Sequence, residues 1–338
     1  MLNKKTSYSI LDLAIVSKGT NLKQTFDHSL ALARAAEESG YKRFWLAEHH
    51  NSDAIGSSAT AILIGKIAEG TNSIRVGSGG IMLPNHSPLI VAEQFGTLGI
   101  LYPNRIDLGL GRAPGTDQAT AAAIRSDFFQ AAQSFPAEVQ KIQEYLSVEN
   151  ATRKVRANVA EVVAEPLYIL GSSTDSAHLA AKKGLPYAFA SHFATSQLME
   201  AMKIYHQEFQ PSAVQEKPYT LAGVNIIVAD TDEEAERIST SLYKMIVNLL
   251  TGKRDYMQPP EDMTAELREL RHHPSVQQML KYSFIGSKET VKKQIKEFVD
   301  QTQVDELIAV TNIYDGQDRI KSYQLFAEIM KELNGEEK

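Results

Sequence analysis

The 338-residue sequence predicts an α/β fold, a single (β/α)8 TIM barrel over 1–338 with two insertions. Three observations predict it. Short β-rich apolar runs alternate eight times with longer stretches of helical period. The runs are nearly all apolar, as parallel strands covered on both faces require. No Gly/Ser- or Pro-rich linker divides the chain. A doubly wound open sheet is the rival, and it would want fewer strands or two domains.

The elements follow in order. Tyr8 to Ser17 (YSILDLAIVS) reads as the first strand, and a helix near Gln24 to Ser39 stops at Gly40, a good C-cap. Arg43 to His49 is the second strand, with a helix near Ser57 to Glu69. Ile74 to Leu83 is the third, with a helix from Pro88, a favoured first-turn residue. Arg105 to Arg112 is the fourth, with a helix after Thr116. Leu167 to Gly171 and a helix from Thr174 to Lys183 make the fifth unit, and Tyr187 to Ser191 is the sixth strand. Leu221 to Ala229 is the seventh, capped into a helix by Asp230 or Thr231. Glu306 to Thr311 is the eighth, and Gln317 to Leu333 the last helix. Phe135 to Glu165 and Thr251 to Ser283 fall outside the eightfold scheme. Each reads as an insertion, either a wall or lid of a site or a solvated extra helix.

Composition excludes several classes of function. With 35 Lys and Arg against 41 Asp and Glu the net charge is −6, which argues against a dedicated nucleic-acid binder. No apolar run approaches the ~18 residues of a membrane span. The chain has no cysteine, so disulfides, thiolate metal sites and cysteine nucleophiles are out. Asp12 interrupts the first apolar stretch and no small-residue cleavage site follows, so a signal peptide is not expected and the cytoplasm is the default location.

Barrel enzymes carry their chemistry at the strand C-termini. Strand two ends in Glu48-His49-His50. Alternation turns the two histidines to opposite sides, so one can face a pocket as acid, base or hydrogen-bond donor, and no metal site is expected. Strand three carries Gly77-Ser78-Gly79-Gly80. Glycine inside a strand marks either a corner bend or the close approach of another group, such as a flat ring. Strand four ends in GLGRAPG at 109–115. Its third glycine falls one residue late for a dinucleotide fingerprint, which leaves Arg112 as a candidate phosphate or carboxylate ligand. Strand five runs through Gly171, Ser172, Ser173 and Thr174 into a helix that carries Ser176. Free N–H groups and several hydroxyls converge there, and one capping residue alone would not need so many. No Walker sequence and no GxSxG elbow exists, and Trp45 reads as core.

Taken together, these stations resemble the bacterial luciferase-like flavin monooxygenases over essentially the whole chain. The segments that carry the resemblance are WLAEHH at 45–50, VGSGGIMLPNHSPL at 76–89, GRAPGTD at 111–117 and LGSSTDSAHLAAKKGLPYAFASHF at 170–193. VTNIYD at 310–315 is similar to the subgroup of luciferase-family oxidoreductases of unknown substrate. The resemblance implies an enzyme that takes FMN, reduced by a separate flavin reductase, and uses O2 through a flavin hydroperoxide to oxygenate a small organic substrate. It implies a ring support at Gly79 and Gly80, often a non-proline cis peptide. It implies phosphate contacts at Arg112, Gly171, Ser172, Ser173 and Ser176, a second arginine at Arg125, and a catalytic histidine at His49. The insertion at 251–283 is the expected lid, and a homodimer is expected. The luciferases' flavin-side cysteine falls at Gly111, which argues against light emission. Three rival readings stay open: a deazaflavin-dependent hydride-transfer enzyme on the same barrel, a flavin-binding protein without turnover, and an isomerase or lyase of a phosphorylated substrate. No obvious Schiff-base lysine stands at a strand end to favour the last.

Overall fold

The structure is a computed structural model and describes residues 1–2, 4–161 and 166–336. β1 (Ser7–Asp12) leads into α1 (Leu22–Ser39), β2 (Arg43–Leu46) into α2 (Thr60–Glu69) and β3 (Arg75–Met82) into α3 (Pro88–Leu101). After β4 (Ile106–Gly111) come α4 (Gln118–Ile124), α5 (Phe128–Gln133) and α6 (Phe135–Tyr145). β5 (Leu167–Gly171) precedes α7 (Thr174–Lys183), β6 (Tyr187–Phe189) precedes α8 (Leu198–Glu208), and β7 (Thr220–Ala229) precedes α9 (Asp232–Thr251). Next stand α10 (Ala265–His272), α11 (Pro274–Leu280), β8 (Ser283–Ser287) and α12 (Lys288–Thr302). β9 (Glu306–Val310) and α13 (Gly316–Leu333) complete the order.

Every strand pairing is parallel. β1 to β7 pair in sequence, and β9 closes the ring by pairing with both β7 and β1. Ile308 is the seam residue, opposite Ser9 on one side and Gly223 on the other. Eight strands therefore form the closed barrel, as the alternation of elements predicts. The sequence reading missed β8, which pairs with the far half of β7 from Asn225 to Ala229. Its five residues bury only Phe284 and Gly286, so it lacks the continuous apolar run of the barrel strands. The first strand also ends sooner than its apolar run suggests. Ala14 has φ +50°, and the Asp12 carboxylate accepts from its N–H at 3.0 Å, which turns the chain out of the sheet. The first expected insertion holds α6 and two short 3-10 turns, and its residues 162–165 lie outside the described residues.

Local chemistry sets the helix limits. Asn21 and Gln24 form a reciprocal capping box at the start of α1, and Gly40 ends it with φ +84°. Thr231, one of the two expected caps, accepts from Glu234 N–H to start α9.

Strand alternation sorts the core into two layers. Outward residues such as Ile10, Phe44, Leu46 and Ile169 pack against the helices with Phe95 and Phe326. Inward residues Leu11, Trp45, Tyr168, Leu221 and Ile308 form a separate cluster inside the barrel. Beside that cluster sits a buried ionic plug. Arg43 Nε donates to Glu306 at 2.7 Å, and its NH1 donates to Asp107 at 2.6 Å and to Tyr168 OH at 2.7 Å. Arg75 and the Trp45 indole complete Asp107, while Tyr219 and Ser9 complete Glu306. Trp45 is thus core, as expected. Among the described residues no helix is long and apolar enough to cross a membrane.

Candidate active site at the barrel mouth

Towards the strand C-termini the inward side chains shrink. Ala47 follows Trp45 at the next inward position of β2, Gly79 follows Gly77 on β3, and Gly111 and Ala190 continue the inward parity of Gly109 and Ala188. The Gly79–Gly80 peptide is cis. A methyl group on Gly79 would lie 2.7 Å from Leu11 Cδ1, and one on Gly80 would lie 2.7 Å from the Gly109 carbonyl and 2.8 Å from Leu170 Cδ1. Neither residue has room for a side chain, so β3 presents bare backbone to the mouth.

His49 continues the inward parity of β2. Its Nδ1 lies 3.2 Å from the Gly115 carbonyl, which can only accept, so the proton is on Nδ1 and Nε2 carries a lone pair. Burial holds its pKa below the ordinary imidazole value, against the opposing pull of the Gly115 bond and the nearby Glu48 charge. His49 is therefore a neutral base at pH 7. Gly115 itself is fixed by φ +66° and by the Glu48 carbonyl, 2.5 Å from where its Cβ would be.

Glu48 points the other way, into a hydrogen-bonded knot. Its carboxylate accepts from His50 Nε2 at 2.9 Å, His86 Nε2 at 2.9 Å, Asn85 Nδ2 at 3.0 Å and Met82 N–H at 2.9 Å. Burial alone would raise its pKa, but these donors hold it at about 2. The knot ties the ends of β2 and β3 to the loop after β4 and so orients His49. Because the folded-state pKa lies below the unfolded value of 4.5, Glu48 contributes stability above pH 4.5 that is lost as pH falls towards 2. Subtracting the pH–stability curve of Glu48→Gln from that of the natural chain should isolate a loss of about 3 kcal/mol across this window. A flat difference curve would show that the knot does not hold the carboxylate.

The β5–α7 junction brings most of the expected phosphate ligands together. Ser173 is the α7 N-cap, yet its side chain makes no capping bond, so its hydroxyl and the first amides of the helix stay uncommitted. Arg112, from the end of β4, reaches this helix start, with NH2 3.3 Å from Asp175 Oδ2. Ser176 is turned inward, bonded to the Ser173 carbonyl at 2.7 Å and to Tyr187 OH at 3.0 Å. Gly171 is needed there, since a Cβ would lie 1.8 Å from Ser176 Oγ. Arg125 has partners of its own. It ends α4, pairs with Asp127 at 2.7 Å and bonds the Pro84 and His86 carbonyls. Residues 254–257 cross the rim of the barrel: Arg254 reaches Asp117 at 3.1 Å, and buried Met257 bonds the backbone of Val16 and Lys18.

Two residues at this end escaped the sequence reading. His192, just past β6, and Asn312, just past β9, each keep a buried side-chain polar atom without a partner. No spacing signals this, because it depends on what the fold places opposite them.

A closed parallel barrel with an ionic plug at one end and small inward residues at the other matches the architecture of barrel enzymes, whose chemistry sits at the strand C-termini. The model of the luciferase-like monooxygenases matches residues 6–306, and the chain belongs to that family. It is an enzyme of the oxygenase class. A luciferase-like monooxygenase of Escherichia coli (strain K12) is 43% identical over 335 residues, covering 99% of this chain and 100% of that protein. The N-acetyl-S-alkylcysteine monooxygenase of Bacillus subtilis (strain 168) is 32% identical over 327 residues, 95% of this chain and 97% of that one. Among solved structures, apo-MsnO8 is 33% identical, covers 96% of this chain and 98% of its own, and superposes with a TM-score of 0.89. More distant structures share the fold. The oxygenating constituent of the Pseudomonas putida 3,6-diketocamphane monooxygenase, in complex with FMN, has a TM-score of 0.72 at 16% identity (96% and 97% covered). An F420-dependent secondary alcohol dehydrogenase with an F420–acetone adduct has 0.71 at 15% identity (98% and 99% covered).

Proposed function

We propose that this enzyme uses reduced FMN and O2 to oxygenate a small organic substrate at the barrel mouth. The observation that carries the proposal is the pair of β3 glycines without room for side chains at the same barrel end as a neutral base, His49. A planar ring needs a flat support without side chains, and Gly79–Gly80 supplies one. Its anionic tail needs N–H donors and a cation, and the open α7 start with Arg112, Ser172 and Ser173 supplies them. Ser176 and Gly171 shape that turn from behind. The FMN bound in a distant relative of the same fold supports this choice of ligand. Reduced FMN would supply the electrons that activate O2.

The chain's own residues then do three things. Leu11, Trp45 and Leu170 line the floor with apolar surface and exclude water. The α7 start and Arg112 fix the tail so that the ring is held without a covalent link. His49 Nε2 receives a proton from the reacting group, and the Gly115 carbonyl keeps the ring in that tautomer. Since one relative bears the name N-acetyl-S-alkylcysteine monooxygenase, compounds of that class are the first substrates to assay. A separate flavin reductase and a second copy of the chain complete the proposal. Ile62, Ile90 and Leu101 on α2 and α3 are 74%, 47% and 61% exposed, an apolar set that a second copy would cover.

Parallel fluorescence titrations with FMN and F420 test the reading. Saturable FMN binding in the micromolar range, with no response to F420, is expected. Binding of F420 alone would reassign the chain to hydride transfer, and binding of neither would overturn the proposal. In the same titration Arg112→Ala should weaken FMN about tenfold, the weight of one charge-assisted contact to the tail. Unchanged affinity would remove Arg112 from the site.

A further inference from the structure

Native interiors leave few buried polar atoms without a partner, and each such atom asks for an explanation. At the mouth end they include His192 Nδ1, Asn312 Oδ1, Asn85 Oδ1 and Asp12 Oδ2. His192 is the most firmly built. Asn225 Nδ2 donates to its carbonyl at 2.6 Å, and its ring meets Phe193 edge-on with centroids 4.9 Å apart. The ring lies so close to β7 that a methyl group on Gly223 would be 2.4 Å from Nδ1.

This packing selects the tautomer. In glycine the direction of a Cβ is taken by a Cα–H bond, so Gly223 points a Cα hydrogen at Nδ1. A lone pair accommodates that contact, whereas an N–H would collide with it. The ring proton therefore sits on Nε2. That nitrogen makes no hydrogen bond among the described residues. His49 is arranged the opposite way, with its proton on Nδ1 and its Nε2 bare. Burial keeps both rings neutral, His192 with a pKa of about 3, to which the proximity of His49 contributes.

We propose that His192 is a substrate-contacting residue that donates a hydrogen bond from Nε2 to an acceptor oxygen of the substrate, opposite the accepting Nε2 of His49. The mouth then offers one donor and one acceptor on neutral rings. It selects small molecules that carry a carbonyl or carboxylate oxygen near the atom to be oxygenated. The role assigned to the substrate rests on the monooxygenase reading; the tautomer does not.

The test is long-range proton–nitrogen NMR of the full chain labelled with 15N-histidine, between pH 6 and 8. His49→Gln and His192→Gln each remove one of nine histidine signals and so assign the pair. If His192→Gln fails to fold, His192→Phe makes the same assignment. The expected result is a neutral Nε2–H ring for His192 and a neutral Nδ1–H ring for His49. A His192 ring protonated on Nδ1, or doubly protonated at pH 6, overturns the proposal. With any N-acetyl-S-alkylcysteine that is turned over, His192→Phe should lower kcat/KM about tenfold, and His192→Gln, which keeps an N–H donor, should recover most of that loss. Equal losses in the two variants also overturn it. FMN titration of the same samples separates the two readings. FMN binding with the wrong tautomer ends this proposal alone, and the right tautomer without FMN binding ends the monooxygenase reading alone.

Discussion

Replacing Arg43 with Met should destabilise the chain by about 3–5 kcal/mol, seen as a lower urea midpoint. Arg43 is 2% exposed and holds two fully buried carboxylates, Glu306 and Asp107. Met fills similar volume, so the loss comes from charge and not from a cavity. Arg75 still pairs with Asp107 in the variant, through Nε at 2.8 Å and NH2 at 2.6 Å. Glu306 keeps hydrogen bonds from Ser9 and Tyr219 and only the half-exposed Lys42 at 3.5 Å for charge. The uncompensated carboxylate is therefore Glu306, and adding Glu306→Gln should recover part of the loss. A single variant as stable as the natural chain would mean that the plug is not ionic in solution.

His49→Gln should lower turnover by about 100-fold or more while leaving FMN affinity within a few-fold of the natural chain. Glutamine can still bond the Gly115 carbonyl, so the Glu48 knot and the loop after β4 stay in place. What is lost is the bare Nε2 lone pair and its capacity to hold a proton. Stopped-flow turnover of an accepted N-acetyl-S-alkylcysteine, set beside the FMN titration, separates the two effects. Full turnover would strip His49 of its role, and a parallel loss of FMN affinity would make it part of the cofactor site instead.

The parts of this account that were legible in the sequence are local ones. The alternation of apolar runs with helical stretches gives the closed barrel, because parallel strands leave a continuous apolar signature. Strand alternation leaves one of His49 and His50 to face inward and the resemblance singles out His49, while a serine-rich strand-to-helix turn marks the α7 start. What stayed hidden depends on distant neighbours. Nothing near Arg43 announces Glu306, 263 residues away, as its partner. β8 was lost because SFIGS lies outside the barrel and buries only alternate residues. Nothing near Arg125 in the chain announces that the Pro84 and His86 carbonyls accept from its guanidinium. His192 needs Gly223 on the neighbouring strand before its unpaired nitrogen has meaning.

On the proposed reading, the glycine-walled end of the barrel receives a flavin ring and the β5–α7 turn its phosphate. A crystal structure of the chain soaked with FMN tests it most directly. The expected result is the ring stacked on the Gly79–Gly80 backbone, with the phosphate between Arg112 and the Ser172–Ser173 turn. A flavin bound anywhere else, or the mouth filled by density that is not flavin, would contradict it.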